Sequence, residues 1–254
     1  MTQVKNEPDT NLDVRLQDQT SEIIDLYMLN LDDAINLTLS QGQSIDDKTI
    51  TVTDATGVLD TGVHAIDISE NGRKFQAIVT DVTGLVITFN TPLDMDITTN
   101  AIVQIAGWNL AVDGSTTMKK FSTAPPKGVS WDITRILLAM ESTASMDDST
   151  FGPLDALTNG VVLRKVGGIT KNIFTVTNNG GLAERMYDVT YPTKVPAGVY
   201  AMRARRTFAG QDKNGVTIRL NGDTGDKLEF LISDDLADST FTKFVCVAQG
   251  HVVE

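Results

Sequence analysis

The chain has 254 residues, 41% hydrophobic and 21% charged, with a formal charge of −12. That length allows a full core, most naturally split over two modest domains, and the acid excess argues against a broad phosphate-binding face and hence against a nucleic-acid partner. No run approaches the roughly 18–20 apolar residues of a membrane helix, and the polar opening MTQVKNEPDTNLDV lacks both segments of a signal peptide.

Residues 1 to about 20 form a hydrophilic arm with Pro8 early in it, and such a composition predicts disorder unless a neighbouring subunit holds it. Leu12, Val14 and Leu16 are its candidate interface residues. From Ser21 to Leu39 two patterns compete: Ile23, Ile24, Tyr27, Met28, Leu31 and Ile35 fit a helical stripe, whereas Ile24, Leu26, Met28 and then Leu37 and Leu39 fit strands. Residues 1–43 are therefore an arm followed by a helical or extended segment.

Residues 44–110 carry five strand-length runs: KTITVTD, GVHAIDIS, RKFQAIVTD, LVITFNTPL and AIVQIAGWN. Short strands rich in Thr, Val and Ile between glycine-bearing turns predict a small β-barrel or sandwich. Residues 111–128, with Pro125, Pro126 and Gly128 at their end, read as a linker.

Residues 129–254 are the larger domain. In SWDITRILLAMES the apolar positions change parity, from Trp131 and Ile133 to Ile136, Leu138 and Met140, which requires a bulge near Arg135. A short helical turn is predicted over Phe151 to Leu157, capped by Asp147, Asp148 or Ser149 and ended by Asn159-Gly160. Strands follow in GVVLRKV and ITKNIFTVTNN, then a short helix over GLAERMYDV that packs Leu182 and Met186 under the sheet edge. A proline-pinned loop, YPTKVPAG, leads to four strands separated by polar, glycine-containing turns, a pattern that predicts a meander of hairpins. The fold class expected is mainly β with few short helices, a small N-terminal barrel or sandwich followed by a larger jelly-roll-like β-sandwich.

Chemistry is sparse. The two histidines, His64 and His251, fall in different domains, which disfavours both a two-histidine metal site and a Ser-His-Asp triad. No phosphate loop and no Gly-x-Gly-x-x-Gly after a strand is present. Acidic pairs such as Asp46-Asp47, Asp147-Asp148 and Asp234-Asp235 lack the alternating ligands and distal Glu of a calcium loop, and serve better as turns and caps. No catalytic residue, cofactor or metal is therefore assigned. Cys246, between Val245 and Val247, reads as a small buried hydrophobe. In the strand VYAMRARRT, Arg203 and Arg205 share a face and Arg206 points the other way; these three join the arm residues as the candidate subunit interface.

AVDGSTTMKKFS, SWDITRILLAMES, MDDSTFGPLDALTNGVVLR, NIFTVTNNGGLAERMYDV, RTFAGQDKNGVTIRL, LEFLISDDL and AQGHVVE, with TDATG and ITFNTPLD earlier, resemble a family of virion structural proteins of tailed bacteriophages. The resemblance runs from about Ile45 to Glu254. It implies a non-enzymatic subunit of the tail, the tail tip or baseplate, or the neck, assembled in the host cytoplasm into the virion. Its partners would be other virion proteins and further copies of itself as a homo-oligomer, and the alternative is a module that binds a host-surface glycan or protein.

Overall fold

The computed structural model describes residues 23–60, 62–111, 119–186, 188–190, 199–208, 217–236 and 240–253. The arm, the YPTKVPAG loop, and Leu12, Val14 and Leu16 lie outside the described residues. The fold is mainly β, with three sheets and one short helix among the described residues.

The ambiguous segment after the arm is extended: β1 is Ile23–Tyr27 and β2 is Ile35–Leu37, with a single 3-10 turn between them. The alternation of Ile24 and Leu26 inward with Ile23 and Asp25 outward decides it, because a helix would scatter those residues around its axis. The five predicted strands follow as β3 (Thr49–Thr51), β4 (His64–Glu70), β5 (Arg73–Thr83), β6 (Val86–Phe89) and β7 (Ile102–Gly107). With β2 they make one antiparallel sheet in the order β2-β7-β4-β5-β6-β3. The sheet bends round a core that includes Ile50, Ile66, Val79, Ile87 and Ile105. Its two ends meet, since Thr53 N–H donates to Thr38 O and Ser40 N–H to Thr51 O, both at 2.9 Å.

Part of the stretch expected as a linker is a strand, β8 (Lys119–Thr123). Phe121 at its centre is fully buried, and anchoring that ring converts a connection into sheet. The remaining strands are β9 (Ser130–Ser142), β10 (Val161–Val166), β11 (Lys171–Val176), β12 (Asp188–Thr190), β13 (Tyr200–Thr207), β14 (Ile218–Asn221), β15 (Lys227–Ile232) and β16 (Phe241–Val253). One sheet runs β1-β16-β9-β13-β12, with β14 also on β9; the other, curled toward a half-barrel, runs β11-β10-β15-β8. Side chains of both sheets enter a common core, among them Ile136, Leu138 and Phe244 from the first and Leu163, Leu228 and Phe230 from the second.

The predicted bulge is present: Gln249 pairs with Arg135 and Gly250 with Ile133, so Thr134 is the extra residue that resets the parity of β9. The short helix is present too, as α1 (Asn179–Met186), with Leu182 and Met186 fully buried.

Two further expectations fail. The four C-terminal strands exist but form no meander: β13 and β14 pair with β9, β15 with β10 and β8, and β16 with β9 and β1. The turn Asn221 to Asp226 carries the chain from one sheet to the other, because Leu220 and Leu228 approach the same core from opposite sides. Nor is Phe151 to Leu157 helical. Phe151 and Leu154 exchange backbone hydrogen bonds of 2.9 and 3.1 Å across Gly152, whose φ is +55°, and Pro153, which has no N–H to donate.

The first sheet is tied to the other two by backbone bonds. Leu29 and Ser122 bond reciprocally at 2.8 and 2.7 Å, Asn30 N–H donates to Gly107 O, and Leu110 N–H donates to Phe244 O. Lys74, nearly buried, pairs with Asp67 at 3.1 Å, donates to Ala124 O at 3.2 Å and lies over the Trp131 ring.

Candidate functional site

The side of the sheet β1-β16-β9-β13-β12 that faces away from its core carries a groove. In β9 the even positions Ile136, Leu138 and Met140 point into the core, and in β16 Phe244, Cys246 and Ala248 do the same. Alternation therefore sends Leu137, Ala139, Val245 and Val247 to the opposite face. Register aligns them into two rows across the sheet: Tyr27, Val247, Leu137 and Arg205 in one, Val245, Ala139 and Arg203 in the other. Lys243, 3.8 Å from Glu141, adds a third cation.

The wall of this face comes from the other unit. Trp108, just beyond β7, meets Tyr27 with ring centroids 4.9 Å apart and planes at 60°, and its indole N–H donates to Gly62 O at 2.6 Å. Together these residues line a groove of about 410 Å3. That size lies within the roughly 300–1,000 Å3 of pockets that hold ligands. The groove is aliphatic in the middle, with Arg203 and Arg205 on the β13 side of β9 and Lys243 on the β16 side. Among the described residues its lining holds no histidine, cysteine, serine or carboxylate.

Of the residues expected at an interface, Arg203 and Arg205 are thus brought together on one face, both exposed. Arg206 is on the other face: its guanidinium lies over Phe174 and Phe208, 5.7 and 5.1 Å from the ring centroids, and donates to Arg185 O near the C-terminus of α1. A cation suits that end of a helix. Sequence reasoning missed Tyr27, Trp108, Leu137, Ala139, Val245, Val247 and Lys243. A signal for four of them existed, since ILLAM and FVCVA are apolar at both parities, the mark of strands covered on both faces.

Elsewhere the ionisable groups hold the fold together. His64 is buried and its Nδ1 accepts from Leu59 N–H at 3.0 Å. His251 Nε2 stands 3.9 Å from Asp132, beyond hydrogen-bond reach, and both oxygens of Asp132 accept from the Arg219 fork. That hydrogen bonding holds the Asp132 carboxyl below its ordinary range, against the opposing effect of burial. Burial likewise pushes the Glu229 carboxyl up, but hydrogen bonds from Lys227 and Arg164 leave it below the usual value.

The acidic pairs serve as turns and caps. Asp147 accepts from Ser149 and Thr150 N–H, Asp96 from Ile45 N–H, Asp223 from Gly128 N–H, and Asp234 from Thr158, Asn159 and Gly160 N–H. Among the described residues no three His, Cys, Asp or Glu side chains gather as a metal-binding group, and no helix is long and apolar enough to cross a membrane. No family model, curated protein or solved structure matches the chain.

Proposed function

We propose that this protein is a non-enzymatic structural subunit of a tailed-phage virion, in the tail, the tail tip or baseplate, or the neck, and that it acts by symmetric assembly and adaptor contacts. The phage assignment rests on the sequence resemblance. The assembly role is supported by one structural observation, the apolar rows of Leu137, Ala139, Val245 and Val247 on a sheet face turned away from the core. Leu137, Ala139 and Val247 are half-buried and Val245 is buried, so they form the floor of a groove that a partner segment would enter. The larger unit fits a jelly-roll-like sandwich in one respect: its long strand β9 pairs with the last strand β16, and β10 pairs with the next-to-last, β15, in the facing sheet.

The alternative, a module for a host-surface glycan or protein, needs exposed aromatic platforms. Tyr27 and Trp108 are the aromatic residues at the groove, and they are half-buried against each other, which favours assembly. The test is mass spectrometry and a map of purified particles of the virus that encodes the chain. A fixed copy number at a symmetric position is expected; absence from the particle would refute the proposal.

A further inference from the structure

The groove on the six-stranded sheet has a chemistry that one segment of this chain matches. Its floor is two short rows of aliphatic side chains, and Arg203, Arg205 and Lys243 stand along it in a protein whose overall charge is −12. The 22 residues before β1 hold five carboxylates and two bases, a net of −3; within them Leu12, Val14 and Leu16 alternate with Asp13 and Arg15, a neutral segment flanked by the acids Glu7, Asp9, Asp18 and Glu22. An extended strand of that pattern presents three apolar side chains on one side.

We propose that residues 12–16 of one copy lie in the groove of a neighbouring copy, so that subunits are joined head to tail by their arms. The proposal rests on the assembly role argued above and identifies its contact surface.

Reach favours a neighbour over the same chain. The arm leaves β1 at Ile23, which pairs with His251, whereas the groove is centred near Leu138, opposite Cys246. β1 meets the groove at Tyr27, and its first residue, Ile23, lies at the opposite end of the strand. Returning to the groove means covering about 17 Å along the sheet, about 10 Å across two strand spacings and about 10 Å up to the level of a packed layer, a path of roughly 22 Å. Nine steps separate Val14 from Ile23; a tight reversal uses three, and the other six span about 20 Å when fully extended. A chain folded back on itself would have to be fully stretched to arrive, whereas a second copy can present the same residues from any direction without that strain.

Head-to-tail contacts of this kind close into a ring or continue as a stack, according to the rotation between copies.

The test uses two full-length variants, Val14→Cys and Ala139→Cys, separately tagged, mixed and oxidised. Native Cys246 is fully buried with its thiol pushed up, which keeps it out of exchange. The expected product is a disulfide between the two tags, and the double variant should give a ladder of covalent multimers at micromolar concentration. A closed monomer as the main product at nanomolar concentration would show that the arm folds back on its own chain, and no product joining positions 14 and 139 at all would show that something else fills the groove. Either result overturns the proposal. As a second measurement, sedimentation of full-length Leu12→Asp/Leu16→Asp and of Arg203→Glu should show self-association weakened at least tenfold, with melting temperatures unchanged; unchanged association in both would also overturn it. Particle composition is read separately, so a chain found in particles without the cross-link sinks the arm contact alone, and a cross-link in a chain absent from particles sinks the virion role alone.

Discussion

Phe244 gives the sharpest test of whether the sheet of β9 and β16 shares one core with the four-stranded sheet. It is fully buried on β16, and its ring meets four others: Phe121 of β8 at 5.7 Å and 89°, Phe230 of β15 at 6.3 Å and 88°, Phe151 at 6.0 Å and Phe241 at 5.2 Å. Two of these partners belong to the facing sheet. Truncating a core Phe to Ala costs about 3–5 kcal/mol, and lost ring pairs add about 0.5–1.5 kcal/mol each, so Phe244→Ala should fall at or above the top of the range, about 5 kcal/mol. Phe244→Leu keeps most of the volume and loses the edge contacts, for about 2 kcal/mol. Urea unfolding followed by the fluorescence of buried Trp131 reads both; with a slope of about 3 kcal/mol/M, the midpoint should fall by about 1.7 M for Ala and about 0.7 M for Leu. Thr175→Ala, exposed on β11, should change stability by less than about 0.5 kcal/mol. A cost below about 2 kcal/mol for Phe244→Ala would mean that the facing sheet does not close on this ring.

Three further outcomes follow from particular contacts. Glu229→Gln leaves Lys120, Arg164 and Lys227 around a neutral buried group, and should cost about 2–4 kcal/mol at pH 7. Because the folded carboxyl titrates below its unfolded value near 4.3, its contribution is complete above that value and is lost as pH falls through the folded one; urea midpoints measured from pH 6 to 3 should drop less steeply in the variant than in the parent. Gly222→Ala would drive a Cβ into the Pro126 carbonyl at the crossover from β14 to β15 and should cost about 3 kcal/mol or more, whereas Gly84→Ala, at φ +62° with open space around it, should cost about 1 kcal/mol. Thermal melts separate the two, by roughly 6–12 °C against 2–4 °C. Cys246 should resist a thiol reagent at pH 8 in the native protein and react fully in urea; rapid native labelling would contradict its burial.

Local pattern and tertiary partner were unequally legible. The parity change between Ile133 and Ile136 sufficed to place a bulge, because a strand buried on one face permits only one way to keep both ends inward. The four C-terminal strands were visible for the same reason, but their pairing was not: a turn rich in Gly, Asn and Asp says that the chain reverses, not which strand it lies beside afterwards. Between Asn221 and Asp226 it reverses into the opposite sheet. At the site, the shared face of Arg203 and Arg205 followed from period two alone. Tyr27 and Trp108 were out of reach, since their contact depends on how two separately cored units meet. The double-parity runs ILLAM and FVCVA announced cover on both faces without naming it.

The acid excess and the groove belong to one physical arrangement. Many carboxylates in this chain sit where a β fold must reverse direction, and there they accept N–H groups that no strand can satisfy; Asp234 alone takes those of Thr158, Asn159 and Gly160. Charge used in this way stays negative at neutral pH and faces solvent at the turns, so copies of the protein repel one another at close range over most of their surface. Contact between copies would then be favoured where the sign is reversed. Arg203, Arg205 and Lys243, beside an aliphatic floor on the face of the sheet, form such a place. An acidic arm directed to it would let like-charged subunits meet in one orientation while the rest of their surfaces keep them apart.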